Sequence, residues 1–495
     1  LANFAELCGP SYTRPIGQTQ IQTERTVNFR LERLTGSSTK NQFVMLRQPG
    51  LGLFANTALN ARVRGALTTN GRTFTVVGSH FLELFANGTF TDYTTSSGVN
   101  VPDDGRKVWF DANPQQVMAV GGSAGFIFTL ATNVLVQITD VNFPVLPEAC
   151  SFLGGYFIVS IRYSQQFQIS ALNDGTAWDA LDISSAESRP DHILNHISTR
   201  EEVWFFGSTT IQPYYNSGDA DFPLAPNLSA VIPSGVQAAQ SVCNIGGILF
   251  WMKIDNAGSG TFCRSNGYTE VVISNHAVES VWSTYKSLDK TYCWPYQENG
   301  HACVRVNFPD IDGLSIGTSA TWEYDMSTNQ WTETPSWNQA QAKEEAHRGY
   351  CSFAAFGKTL VGDRENGKIY ELSVKYLDDN GALIRRVRRC PHIYKEGKLI
   401  SYHSLLLDGN KGIGLNVASD QPYYNPEAKL LISDDGGKTF QPFTPITFGP
   451  MGQYKYVPEA IGLGSGRDRV FELVFDAPVD WAISGASLEL TVHKV

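Results

Sequence analysis

The sequence predicts an all-β chain: a β-propeller of six to eight blades with an additional C-terminal β-sandwich-like platform module. Three observations carry that expectation. Helical periodicity is nearly absent along 495 residues. Short apolar runs end repeatedly in Asn-Gly or Gly turns, the punctuation of hairpins. These strand–turn–strand units recur about every 40 to 50 residues, the period of propeller blades, whose sheets need neighbours to bury their faces. Composition agrees, because 45 Gly and 23 Pro supply turn geometry while 28 Phe and 20 Tyr fill pleated surfaces.

Taken in order, residues 1–49 read as a polar, extended arm with one strand candidate at TERTVNFRLERL. The arm is expected to pair with the C-terminal module, since the two ends of a closed propeller leave on one side. Residues 50–372 hold the propeller. TTNGRTFTVVGSHFLELFANGTFTDY (Thr68–Tyr93) is two apolar runs bounded by Asn70-Gly71 and Asn87-Gly88 and broken at Gly78. The theme returns in QVMAVGGSAGFIFTL from Gln116, SFLGGYFIVSI from Ser151, EVWFFGSTTIQPYY from Glu202, NIGGILFWMKI from Asn244 and FAAFGKTLVGDRENGKIYEL from Phe353. Two short helices are expected, around Ser185–His196 and at Asn338–Ala346, where AQAKEEA has good helix formers. From residue 373 to 495 alternating strands continue without the blade spacing, which suggests a separate sandwich-like module.

Bulk charge narrows the function. A net charge of −10 gains nothing from counterion release on a phosphate backbone, so binding nucleic acid over the whole surface is not expected. No apolar run reaches the length of a membrane-spanning helix, and LANFAELCGP has neither the basic nor the apolar region of a secretory signal. The eight cysteines lack metal-ligand spacing. Cys293 and Cys303 flank Asn299-Gly300, and a two-residue turn there sets Cys303 opposite Tyr296, not opposite Cys293. Buried free thiols are the expectation.

Several stretches invite a chemical reading. LLISDDGGKTF contains S-x-D-x-G-x-T-F, which resembles the Asp box of sialidases and related propellers. Ser433, Asp435, Gly437, Thr439 and Phe440 would form a hairpin turn, the carboxylate accepting backbone N–H bonds, the glycine permitting positive φ and the ring plugging the base. A glycan hydrolase would need ordered arginines, a nucleophile and an acid beside it, and no local motif supplies them. Asp434 and Asp435 lack the further oxygen ligands of a calcium loop. His192 and His196, four apart in DHILNH, would share a helix face, yet no HExxH accompanies them. Glu187, Arg189 and Asp191 read as an ionic knot between blades. RRVRRC is the one dense basic run: on a strand, Arg386 and Arg388 share one face and Arg385 and Arg389 the other. A subunit contact is its favoured functional reading, against a salt-bridged solvated strand. No catalytic residue, metal or cofactor is expected.

The chain also resembles the packaged-DNA stabilisation proteins of short-tailed bacteriophages, which form the tail hub or nozzle. RTVNFRLE (from Arg25), RQPGLGLF (from Arg47), VRGALTTNGRTFTVVGSHFLEL (from Val63), DGTAWDALDISSAESRPDHI (from Asp174), EVWFFGSTTIQPYYNSGDADFPL (from Glu202), TWEYDMSTNQWTE (from Thr321), FGKTLVGDRENGKIYEL (from Phe356) and GSGRDRVFELVFDAPV (from Gly464) carry the likeness, in order along most of the chain. Ser336–Tyr350 and the arm before Arg25 fall outside it. The resemblance implies a non-enzymatic virion tail protein made in the bacterial cytoplasm and assembled with itself as a ring, a hexamer. Its implied partners are a portal and adaptor above, a needle or plug with tail fibres or tailspikes below, and double-stranded DNA that passes without specific binding; no membrane contact is implied. The alternative reading is a propeller glycan hydrolase or lectin acting on host polysaccharide.

Overall fold

The computed structural model describes residues 2–3, 5–12, 23–34, 42–186, 191–254, 258–312 and 318–493. Among them are seven four-stranded blades, within the six to eight expected. Blade 1 lies within residues 63–92, blade 2 within 109–137, blade 3 within 147–185, blade 4 within 193–226, blade 5 within 243–272 and blade 6 within 292–333. Blade 7 takes three strands from 349–373 and its fourth from Gly50–Asn56. That last pairing closes the ring, because an N-terminal strand completes the final sheet and leaves no open seam.

Turn chemistry explains the registers. Thr69 pairs with Arg72 across Asn70-Gly71, both in the left-handed region at φ 49° and 73°, as a two-residue hairpin of that hand requires. Around Asn299-Gly300 the register sets Tyr296 opposite Cys303, so no cross-strand disulfide forms, and all eight cysteines are buried free thiols. Apolar and aromatic residues between adjacent blades build the core, including Phe167 stacked on Phe205 at 4.2 Å and Phe74 against Phe128 at 4.9 Å.

Gly50 pairs with Ser373, so the chain enters and leaves the propeller at one edge and on one face. There the platform begins. Its first sheet has the order Phe29–Arg33, Phe43–Arg47, Ala482–Val492, Ile400–Gly409, Glu459–Gly466. Its second sheet runs Arg25–Val27, Arg386–Arg389, Asp468–Phe475, Glu427–Ser433, Gln441–Pro442. Phe29, Leu405, Leu430, Phe475 and Trp481 fill the space between the two. The second sheet does not stop at the propeller. Arg25–Val27 pairs in parallel with Gln330–Glu333, the outer strand of blade 6, giving one eleven-stranded sheet through both modules.

Both expected short helices are corrected. Ile193–Thr199 is the inner strand of blade 4, where pairing with Glu202–Gly207 and burial override local preference. Asn338–Ala346 contains the turn of a hairpin between Ser336–Asn338 and Lys343–Glu345. Nine residues nucleate a helix poorly, while Asn338 here caps Gln341 N–H at 3.1 Å and holds Glu345 at 2.9 Å. The α-helices among the described residues are short, Tyr93–Ser97 with five residues and His276–Trp282 with seven.

Candidate functional site

In the turn at Ser433–Phe440 the Asp435 carboxylate accepts Lys438 N–H at 3.0 Å, Thr439 N–H at 3.0 Å, the Thr439 hydroxyl at 2.6 Å and the Ser433 hydroxyl at 2.6 Å. Gly437 N–H donates to Ser433 Oγ at 2.9 Å, and Gly437 sits at φ 83° with Thr23 where a Cβ would go. The hydrogen bonds from Ser433 and Thr439 hold the Asp435 carboxyl well below the usual carboxylate range. That is the opposite of what a general acid needs. Phe440 lies 4.5 Å from the Arg389 guanidinium, so the ring covers an arginine where a plug was expected. Asp434 is exposed as well. It makes a two-pronged ion pair with Arg469, both bonds at 2.7 Å.

The arginine run divides sharply. Arg386 and Arg388 are 0% exposed within a single chain, so the expected subunit contact is corrected for both: neither has surface left to offer a neighbour. Arg388 donates to Leu7 O at 2.6 Å, Ser11 Oγ at 2.6 Å and Thr26 Oγ1 at 2.8 Å, tying the N-terminal arm to the platform. Arg386 donates to Ile384 O at 3.0 Å while its Nε and Nη2 find no partner among the described residues; burial, with repulsion from Arg47, pushes its pKa down to about 10. Arg385 and Arg389 are partly exposed and pair with Glu344 at 2.9 Å and Glu472 at 2.6 Å. Strand alternation explains the split, since the residues at 386 and 388 turn inward and 389 outward.

Asp191 accepts Thr209 N–H at 2.7 Å and Thr210 N–H at 3.0 Å, shaping the turn between two strands of blade 4, while Glu187 and Arg189 lie outside the described residues. His192 and His196 share no helix face. His196 is buried on the inner strand of blade 4, with Nδ1 3.0 Å from Ser160 Oγ and Nε2 donating to Ile158 O at 3.2 Å.

Two features escaped the sequence reading. The first is the joint between blade 6 and the platform. Glu323 receives Arg305 at 2.8 Å, Tyr296 at 2.8 Å and Gln48 at 2.9 Å, and Arg30 from the platform donates to Tyr296 at 2.9 Å. Burial pushes the Glu323 carboxyl up, but the Arg305 and Arg30 guanidiniums more than reverse this and hold it below its ordinary value. Beside it, His301 places Nδ1 2.7 Å from Asp325 and Nε2 2.7 Å from Glu32 of the platform. Arg25 binds Glu333 through two bonds at 2.8 and 2.6 Å and reaches Glu344 at 2.5 Å. The segment Ser336–Tyr350 therefore supplies the carboxylate that links Arg25 to Arg385. Only the alternation of charge in RTVNFRLER hinted at this.

The second is the propeller axis. Inner strands of all seven blades surround a cavity of about 400 Å³. The Lys107 side chain from blade 2 crosses it, donating to Gln240 O at 3.0 Å and Cys293 O at 2.7 Å. Burial pushes the Lys107 pKa down. Cys150, Cys243, Cys293 and Cys351 line the same cavity, and burial raises their thiol pKa values, to about 12 for Cys243 and Cys351. Such thiols are unreactive.

The family model Phage_stabilise, described as the bacteriophage P22 Gp10 β-propeller, matches residues 27–376. None of the curated proteins matches. Among solved structures, the N-terminal domain of Nup159 aligns at 7% identity and TM-score 0.40, over 71% of this chain and 99% of that one. The extracellular domain of a putative hybrid two component system, BT4673 of B. thetaiotaomicron, aligns at 11% identity and TM-score 0.44, over 89% and 63%. PorZ of Porphyromonas gingivalis, a surface component of the type-IX secretion system, aligns at 8% identity and TM-score 0.39, over 80% and 48%. The chain thus spans under two thirds of the last two. At these scores the likenesses carry no functional weight.

Proposed function

Because the chain belongs to the Phage_stabilise family, that of the bacteriophage P22 Gp10 β-propeller, we propose that it is a structural tail protein that assembles with itself into a ring. In this reading the ring forms the tail hub or nozzle, a conduit for DNA and part of the seal on the packaged genome, and catalyses nothing. The proposed partners are further copies of the chain, a portal or adaptor above, and a needle, plug, fibres or tailspikes below.

The observation that carries the reading is the unbroken sheet from blade 6 into the platform, braced by the buried Arg305–Glu323 pair. Two modules welded in this way move as one rigid block, which suits a load-bearing part of a stacked assembly. Lys107 across the propeller axis means that a conduit for a double helix has to lie between subunits and not through one. A ring interface needs apolar surface to bury. Exposed Val141, Val145, Tyr163 and Leu181 supply it on the rim of blades 2 and 3. A net charge of −10 keeps passing phosphate from sticking.

Electron microscopy and sedimentation of the purified chain test the proposal. Rings that dissociate when Val141→Glu and Leu181→Glu are introduced are expected. A chain that stays monomeric at all accessible concentrations and cleaves host polysaccharide would overturn it.

A further inference from the structure

A groove lies away from the platform joint, across blades 3, 4 and 5, on the face carrying the turns between first and second strands. Its volume is about 1210 Å³, at or above the range of small-molecule sites, roughly 300–1,000 Å³. Three properties decide what it would hold.

First, it contains a rigid aromatic platform. Tyr268 stacks on Trp204 at 5.8 Å between ring centroids and 18° between planes. One carboxylate locks the pair: Glu202 Oε1 accepts the Tyr268 hydroxyl at 2.8 Å, and its Oε2 accepts Trp204 Nε1–H at 3.0 Å. Trp204 is buried, whereas Tyr268 remains 47% exposed, and Tyr215 presents a second ring at 43%. An aromatic ring already held in place loses little rotamer freedom when something stacks on it. Second, two guanidinium groups lie beside the rings. Among the described residues no ion pair engages Arg200 or Arg264, and Arg264 Nε is buried without a hydrogen bond. Gly247, at φ 81°, leaves the room over which the Arg200 guanidinium lies. Third, the charges cancel, because Glu201 and Glu202 balance Arg200 and Arg264. The groove therefore presents no net field to attract a polyanion, and an acidic peptide would meet two carboxylates.

Flat aromatic faces, planar hydrogen-bonding side chains and neutral overall charge fit a pyranose. The C–H groups of one sugar face meet the negative face of the ring, and its hydroxyls meet amide, carboxylate and guanidinium groups. We propose that this groove binds a neutral oligosaccharide, with Tyr268 as the stacking platform and Arg264 as the principal hydroxyl donor. The reading concerns binding alone and is independent of ring assembly.

Saturation-transfer NMR and calorimetry on the full chain would use maltotetraose, cellotetraose and mannotetraose as neutral probes, with tetragalacturonate and hexaglutamate as anionic ones. At least one neutral tetrasaccharide is expected to bind. Tyr268→Ala is expected to weaken it by about tenfold or more, and Tyr454→Ala, exposed on the platform, to leave it unchanged. Tyr215→Ala provides the same reading should Tyr268→Ala fail to fold. Binding of none of the three neutral probes, binding indifferent to both tyrosine substitutions, or preferential binding of hexaglutamate at these residues would overturn the proposal.

Discussion

Val27 of the N-terminal arm lies in parallel register with Glu333 on the outer strand of blade 6, and Asn28 N–H donates to Glu333 O at 2.8 Å. This contact makes the propeller and the platform one sheet. The Glu333 side chain also holds Arg25 by two bonds. Glu333→Ala is expected to cost about 2 kcal/mol, near the lower end for breaking a partly buried pair, and to split a single thermal transition into two. Calorimetry checks it. One transition shifted as a whole would place the coupling elsewhere.

The Arg305–Glu323 pair is 1% exposed on both sides. Arg305→Met leaves the buried Glu323 carboxylate with Arg30, 3.9 Å away, as its one cationic partner among the described residues and is expected to cost about 3–5 kcal/mol. Adding Glu323→Leu removes the underpaired carboxylate and is expected to restore part of that loss, since Arg30 then loses its own partner. Urea unfolding of the two variants separates a charge effect from lost packing.

His196 fixes a pH dependence. Its imidazole takes a proton near 6.5 when unfolded and only near 4 when buried, because burial disfavours the cation. Between these values the unfolded chain binds a proton the folded chain refuses. Its contribution is therefore whole above pH 6.5 and is lost as pH falls toward about 4, by roughly 3 kcal/mol in all. Stability measured from pH 7.5 to 4.5 is expected to fall less steeply in His196→Gln than in the parent chain. Parallel slopes would refute the assignment.

Lys107 closes the propeller axis. Lys107→Met removes the donor and leaves the Gln240 and Cys293 carbonyls unmatched, at an expected cost of about 1–3 kcal/mol. The shorter Lys107→Ala also opens a path to Cys243 and Cys293. Labelling by a maleimide is expected to be negligible in the parent chain and measurable in Lys107→Ala. Equal labelling would mean that the lysine is no barrier.

Arg386→Glu places a carboxylate in a fully buried site and is expected to give insoluble chain, whereas Arg385→Glu, partly exposed, is expected to fold. Soluble expression and circular dichroism distinguish the two. A folded, soluble Arg386→Glu would show that the strand is reachable from outside.

What the sequence determined was local. Asn70-Gly71 and Asn299-Gly300 each dictate a two-residue turn, and a turn sets its strands' register, so the blades and the Tyr296–Cys303 pairing follow from residues only a few positions apart. Ser433 to Thr439 encode their turn in the same way, since every partner of Asp435 lies within four residues. Tertiary structure decided the rest. Alternation along RRVRRC shows that 386 and 388 share a face, but only the N-terminal arm laid over that face makes it the inside. The Arg305–Glu323–Arg30 cluster, the Lys107 bridge and the Tyr268–Trp204 platform join residues 18 to 293 positions apart. No local pattern specifies such contacts, because they exist only once seven sheets have closed into a ring and a strand from the arm has docked against the sixth.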